Sequence, residues 1–459
     1  MYRRNAWEKY REEDLRKVMD FNEGYKRFLS SAKTERECVK EAVRLAEEKG
    51  FVNLQDVFKS GRPLKAGDKL YGINRHKNVV LFVLGEKPLE EGMRILGAHI
   101  DSPRLDLKPN PLYEEGGLVL ADTHYYGGIK KYQWTALPLA IHGVVVRRDG
   151  SKAEIRIGEE DGEPVVGISD LLYHFSEEQL KKSGETVVEG ENLDVTFGHM
   201  PLKDTEKEAV KSNILKLLKE TYDIEEEDFF SAELEIVPAG AAKDYGLDRS
   251  MVMAYGQDDR VGAYTSLAAV LDLEHSRHTA CCVLFDKEEI GDVGATGAHS
   301  LYLENLVAEL IWYMGNTSPL AARQAMARSK MLSCDVSAAF DPLYPEVYEK
   351  KNTAILGHGM VLSKYTGSGG KIYSNDANPE YIASLRRIFE SAGVNYQTAE
   401  QGKVDTGMFQ TIAYIMSSYN LDVIDAGVAV MNMHAPWEVV SKADVYETYF
   451  GCKTFLEKM

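Results

Sequence analysis

A chain of 459 residues, 44% apolar and 27% charged, exceeds one ordinary core and predicts two globular domains rather than extended disorder. Its net charge of −18 argues against nucleic acid and anionic membrane as partners, because both require basic patches. No run of about 18 apolar residues is present. The start, Met1-Tyr2-Arg3-Arg4-Asn5, lacks an apolar signal core, and the five cysteines include Cys281 and Cys282 adjacent in an apolar run, so a cytoplasmic protein with reduced thiols is expected.

In chain order, Val39, Ala42, Val43 and Ala46 share one face at helical spacing and predict a helix over Glu37 to Lys49. Strands are predicted at Val79 to Leu84 and Met93 to Ala98, the second ending at His99. From about Pro109 to Pro238 the texture changes to short β-rich pieces (His142 to Arg147, Ala153 to Ile157) and an amphipathic helix near Ala209 to Tyr222. This stretch reads as an insert over 106–245 in a first domain made of 1–105 and 246–459. Alternation then resumes: helix Val261 to Leu273, buried strand Ala280 to Phe285, strand Lys330 to Cys334, helix Pro379 to Ala392, strand Asp422 to Asp425 and helix Lys442 to Glu457. Apolar strands alternating with helices predict an α/β fold with a mostly parallel central sheet covered on both faces. A site is then expected outside the carboxyl ends of its strands.

Five short segments place metal-capable side chains at such ends. In Gly97-Ala98-His99-Ile100-Asp101, residues two apart in an extended segment point the same way, so Asp101 can orient the His99 imidazole. In Gly256-Gln257-Asp258-Asp259-Arg260, a carboxylate in a turn can bridge two cations, although capping the following helix is the commoner use. In Asp286-Lys287-Glu288-Glu289-Ile290-Gly291, directly after a buried strand, one glutamate can ligate a cation while its neighbour moves a proton. Ser333-Cys334-Asp335 and Asn432-Met433-His434 complete the set. Each segment alone also suits a hydrogen-bonded structural role. Two histidines and three acidic ligands together are what a pair of zinc ions with an open position needs, and the same donors accept manganese or cobalt.

The order His-x-Asp, Gly-x-Asp-Asp-Arg, Glu-Glu-x-Gly, Ser-x-Asp and a late Met-x-His resembles the aspartyl aminopeptidase and vacuolar aminopeptidase I family of zinc peptidases. The likeness extends over most of the chain and includes Leu234-Glu235-Ile236-Val237-Pro238-Ala239-Gly240. It implies an aminopeptidase that releases single residues from the free amino end of peptides and holds two divalent metal ions, zinc first. Asp258 would bridge the metals, His99 and Asp335 would complete one site, and Glu289 and His434 the other. Glu288 would be the general base and Asp101 the orienter of His99. The resemblance further implies that the insert is a dimerisation domain and that the dimers build a dodecamer.

Within the insert, Gly167-Ile168-Ser169-Asp170-Leu171-Leu172-Tyr173-His174 looks like the family segment whose histidine reaches a neighbouring subunit's site, which would make His174 a residue acting in trans. Lys364 and Tyr373 resemble positions that line the substrate pocket. Two stretches depart from many relatives: Ala338-Ala339-Phe340-Asp341-Pro342 lacks their histidine, and Lys131-Tyr132-Gln133-Trp134-Thr135-Ala136 lacks their charged run after the tryptophan. Acidic and neutral or hydrophobic amino-terminal residues are therefore equal contenders. Hydrolysis of a non-peptide amide and a non-catalytic assembly role are the rival readings.

Overall fold

The computed structural model of the chain describes residues 4–366, 369–407 and 409–459. It divides into two compact units, one formed by the chain up to Asp101, Ala242–Met433 and Glu438–Met459, the other by Ser102–Ala241 with His434–Trp437. The second unit begins and ends four residues before the 106–245 expected from sequence, and it also takes in the short piece around His434. The fold is mixed α/β, with several sheets and helices.

The first unit is built on a nine-stranded sheet in the order Val52–Asn53, Lys69–Asn74, Asn78–Val83, Ala280–Phe285, Arg94–His99, Lys330–Ser333, Asp422–Gly427, Met360–Ser363, Tyr396–Thr398. The four strands from Ala280–Phe285 to Asp422–Gly427 run parallel to one another, and antiparallel junctions lie outside them. Arg94–His99 and Ala280–Phe285 are buried at every position. Their alternate side chains feed two cores: Leu96, Ala98, Cys282 and Leu284 face helices Glu35–Glu48, Gln257–Leu271, Pro379–Ala392 and Lys442–Lys458, while Ile95, Cys281, Val283 and Phe285 face Tyr302–Tyr313 and Ala321–Ala327. A strand with apolar residues on both faces cannot turn either one to water, so helices must cover both. A smaller five-stranded sheet, ordered Lys243–Tyr245, Met251–Ala254, Glu438–Ser441, Ala429–Met431, Ser337–Ala338, belongs to the same unit.

The helix predicted from Glu37 starts at Glu35, because Thr34 accepts the Glu37 N–H at 3.3 Å and the Glu37 carboxylate accepts the Thr34 N–H at 3.2 Å. This reciprocal cap satisfies two otherwise open donors and fixes the start. The other predicted helices and strands fall within a few residues of their expected ranges.

The second unit is a six-stranded antiparallel sheet ordered Lys152–Ile157, Leu139–Val146, Ala232–Pro238, Arg104–Glu115, Leu118–Tyr126, Val195–Gly198. Its helix Ala209–Tyr222 has no cap of its own, since Glu208 is left-handed at φ 44. The Glu114 carboxylate instead accepts the N–H groups of Val210 and Lys211, both at 3.0 Å. A negative charge there also suits the positive end of the helix dipole. Among the described residues, no helix is long and apolar enough to cross a membrane.

Candidate metal centre

Three adjacent parallel strands of the large sheet deliver most of the predicted residues. Arg94–His99 ends in His99, Ala280–Phe285 leads into Glu288 and Glu289, and Lys330–Ser333 leads into Asp335. His99 is fully buried, and its Nδ1 lies 3.2 Å from Asp101 Oδ1 and 3.0 Å from the Asp101 carbonyl oxygen. With Nδ1 engaged there, Nε2 looks toward the cluster, 3.2 Å from Asp258 Oδ1, 3.8 Å from Glu288 Oε2 and 3.9 Å from Asp335 Oδ1. Asp101 does a second job, accepting the main-chain N–H groups of Glu288 at 3.2 Å and Glu289 at 3.1 Å. One carboxylate thus orients the imidazole and ties down the turn that carries both glutamates.

The Asp258-Asp259 pair divides its labour. Both residues have non-helical backbone angles at the head of the helix Gln257–Leu271, and the peptide between them is cis. Asp259 Oδ1 accepts the Gly262 N–H at 3.2 Å, which is the capping use anticipated for this motif, and its Oδ2 accepts the His99 N–H at 3.3 Å. Asp258 is left to face His99. Close approach is demanded twice beside Asp335: a Cβ on Gly262 would come within 1.9 Å of the Cys334 carbonyl oxygen, and one on Gly427 within 1.9 Å of the Asp335 carbonyl oxygen. Any side chain at either position would push the Cys334-Asp335 main chain out of place.

The electrostatics are one-sided. Burial, then the charge of Asp258, holds the Asp335 carboxyl well above the usual carboxylate range. Burial also raises Asp259, with Asp335 adding to it, and raises Glu288, with Asp335 and Glu289 adding to it. Burial opposes a charge on His99, yet hydrogen bonds with Asp101 and Asp258 and the charge of Glu288 hold its pKa well above the ordinary value. Such a cluster calls for positive charge.

Three residues at the site had not been singled out in the sequence: Asp259 in its contact with His99, Asp425, and Glu438. Asp425 sits opposite Ser333 in the sheet, and burial pushes its pKa up to about 6. Glu438 Oε2 accepts the Asp258 N–H at 3.0 Å. A doublet of aspartates offered a signal for the first; nothing local marked the other two.

His434 groups with the second unit, where its Nδ1 lies 2.9 Å from the Gly128 carbonyl oxygen. His174 is exposed in the short turn Tyr173–Phe175, its ring 5.9 Å from that of Tyr173, so it is not a core histidine. Lys364 Nζ lies 3.2 Å from Asp376 Oδ1. Tyr373 is exposed, with its ring 6.0 Å from that of Tyr414.

The ligand atoms of His99, Asp258 and Asp335 all lie within 4.8 Å of one another, and so do those of His99, Glu288 and Glu289. Imidazole nitrogen with carboxylate oxygens in a buried, acidic setting fits a divalent cation such as zinc. An α/β scaffold that gathers these groups at its parallel strand ends is suited to metal-dependent hydrolysis. Residues 28–456 match the family described as Aminopeptidase I zinc metalloprotease (M18). The probable M18 family aminopeptidase 1 of Clostridium acetobutylicum is 56% identical over 454 residues, covering 99% of this chain and 98% of that protein. The crystal structure of aminopeptidase I from the same organism has a TM-score of 0.94 at 55% identity, and that of an M18 aminopeptidase from Thermotoga maritima 0.95 at 42%, each covering 100% of both chains. The chain therefore belongs to the M18 family of zinc metallopeptidases, and its activity is that of an aminopeptidase releasing single residues from the amino end of peptides.

Proposed function

We propose that the enzyme holds two divalent metal ions, zinc first, with Asp258 as the bridge. His99 and Asp335 complete one site, and Glu289 and His434 the other. The convergence of His99, Asp258, Asp335, Glu288 and Glu289 within two overlapping ligand groups carries this reading, and the family's motif order supports the place of His434. Metal ions bound there would lower the pKa of water and stabilise a developing oxyanion. Glu288, largely screened from solvent beside His99, takes the proton from the attacking water and returns it to the leaving amine. Asp101 fixes the His99 tautomer so that Nε2 offers its lone pair.

The fold is an α/β catalytic domain with a mostly parallel central sheet, interrupted by an inserted dimerisation domain, and the dimers assemble further into a dodecamer. Support for assembly comes from the exposed apolar run Leu171, Leu172, Tyr173, Phe175 and Leu180 in the second unit. His174 lies within that run and acts in a neighbouring subunit's site. The buried free thiols of Cys38, Cys281, Cys282, Cys334 and Cys452 support a cytoplasmic location. Lys364 and Tyr373 line the substrate pocket, and the pairing of Lys364 with Asp376 favours neutral or hydrophobic amino-terminal residues over acidic ones.

A panel of amino-terminal chromogenic residues (Asp, Glu, Leu, Met, Lys, Ala), tested with metal-defined and chelator-stripped enzyme, checks the reading. Release that ends on stripping, returns with divalent metal and ranks Leu above Asp is the expected result. Turnover by stripped enzyme would remove the metals from the mechanism.

A further inference from the structure

The proposed bridge Asp258 sits where the chain leaves the strand Met251–Ala254 and has not yet entered regular helix. Its main-chain N–H is therefore outside any ladder, it is buried, and it must find an acceptor elsewhere. The acceptor is a carboxylate, Glu438 Oε2 at 3.0 Å. Glu438 is itself 1% exposed and begins the strand that pairs antiparallel with Met251–Ala254, directly opposite Ala254. Two further bonds hold the arrangement. The Gln257 side-chain amide donates to the Glu438 carbonyl oxygen at 2.6 Å and to the Val252 carbonyl oxygen at 3.2 Å. The hydroxyl of Tyr25, also fully buried, donates to Gln257 Oε1 at 3.0 Å. A chain of bonds thus runs from Tyr25 through Gln257 and Glu438 to the backbone of Asp258.

A carboxylate acceptor gives that N–H a stronger and more directional bond than a neutral carbonyl would. We infer that Glu438 is a positioning residue for the metal centre: it anchors Asp258 through its main-chain N–H and adds a buried negative charge behind the metal-binding carboxylate. The charge-assisted bond is short-ranged and directional, which fixes the backbone at the one residue whose two oxygens must address two cations. The added charge strengthens binding of a divalent ion without touching it.

This inference rests on Asp258 being a ligand, so the test separates the two. Glu438→Gln keeps the size and one acceptor oxygen but removes the charge; Asp258→Asn alters the ligand itself. Both are compared with wild type by competition with a chromogenic chelator for metal, by the visible absorption of the cobalt-substituted protein, and by kcat and KM. Glu438→Gln is expected to weaken metal binding by about 10–100-fold, to shift the cobalt bands, and to lower kcat at saturating metal with KM little changed. Tyr25→Phe breaks the same chain two links further out while leaving every carboxylate in place, and it is expected to give a smaller change of the same sign. It serves as the second variant where Glu438→Gln folds poorly. Metal affinity and cobalt bands unchanged in both, with Asp258→Asn strongly impaired, would overturn the positioning role alone. Unimpaired metal binding by Asp258→Asn would overturn the ligand assignment beneath it.

Discussion

The second unit buries charge in pairs, whereas the first holds, besides pairs such as Lys442 with Asp244, a crowded acidic cluster. In the second, each buried charge meets its opposite: Arg104 Nε lies 2.8 Å from Asp106 and 3.2 Å from Glu235, with its guanidinium 3.9 Å above the Tyr126 ring, and His142 Nε2 lies 3.0 Å from Glu159. In the first, Asp101, Asp258, Asp259, Asp335, Glu288 and Glu289 crowd around a single imidazole. Opposite charges satisfied within the fold are structure. Like charges forced together carry an electrostatic cost, which protonation or a bound cation removes.

The largest expected effect of breaking this contrast comes from withdrawing the metal. Chelation should abolish peptide hydrolysis, and added divalent ion should restore it. It should also leave a stability that depends on pH. Burial, then the charge of Glu35, pushes Asp286 up to about 7, and burial pushes Asp292 up to about 6. Both are raised above the unfolded carboxylate value, so the native state binds the extra proton. Their contribution is complete below the unfolded value of about 4 and is lost as pH rises through about 6 and then about 7. Thermal unfolding of stripped enzyme should therefore show Tm falling over this window, with a shallower fall in the loaded enzyme. A flat profile in the stripped enzyme would contradict the charge crowding.

Next in size is Glu288→Gln, which removes the proton carrier without changing shape. It should lower kcat by about 10²–10⁴-fold while metal content per subunit stays at the wild-type value. An active, metal-loaded variant would refute the base.

A pair of substitutions then sharpens the contrast directly. Arg104→Ala leaves Glu235 buried without its guanidinium and should cost about 3–5 kcal/mol in denaturant unfolding, with metal content unchanged. Asp335→Asn, measured without metal, should have the opposite sign and stabilise by on the order of 1 kcal/mol, because it removes the penalty that burial and neighbouring carboxylates place on ionising this group. The same variant should lose metal binding. If both variants destabilise the stripped protein alike, the distinction between the two kinds of buried charge fails.

How much of this was legible depends on where each residue's partner lies. Segments that set a ligand at the end of an apolar strand could be read locally, since the strand ladder then aligns those ends in space: Phe285 pairs with His99, and Ser333 with Gly97. Asp101 could be read as the orienter of His99 because the two are two positions apart, but its grip on the Glu288 and Glu289 main chain joins segments 187 and 188 positions distant. Glu438 escaped for the same reason, meeting Asp258 across 180 positions. The approaches at Gly262 and Gly427 were equally hidden, because a missing Cβ announces nothing about what passes over it. Caps did not decide which helix starts were readable: the helix expected from Glu37 starts two residues earlier because Thr34 caps it, whereas the helix expected near Ala209 starts there although a distant Glu114 supplies its cap.

The smallest expected effect concerns the substrate. A lysine at position 364 suggests an anchor for acidic side chains when read alone, yet its ammonium is 3.2 Å from Asp376, which also binds Lys371 at 3.1 Å. Against modest desolvation, Lys371 and Lys364 hold the Asp376 carboxyl below its ordinary value, so it stays ionised throughout the neutral range. An acidic amino-terminal residue would have to displace Asp376 from a half-exposed ion pair, exchanging one carboxylate for another in a screened setting where such pairs contribute little. Lys364→Met should therefore change kcat/KM for Asp and for Leu substrates by less than about threefold each, whereas an anchoring lysine would cost the Asp substrate about tenfold or more and spare Leu. Asp376→Asn is the sharper probe. Freeing Lys364 should raise kcat/KM for the Asp substrate relative to Leu, and this rise should vanish in the double variant with Lys364→Met. A drop for Asp in the single Lys364 variant, with no rise in Asp376→Asn, would instead make the wild-type lysine the acidic-substrate contact already at work.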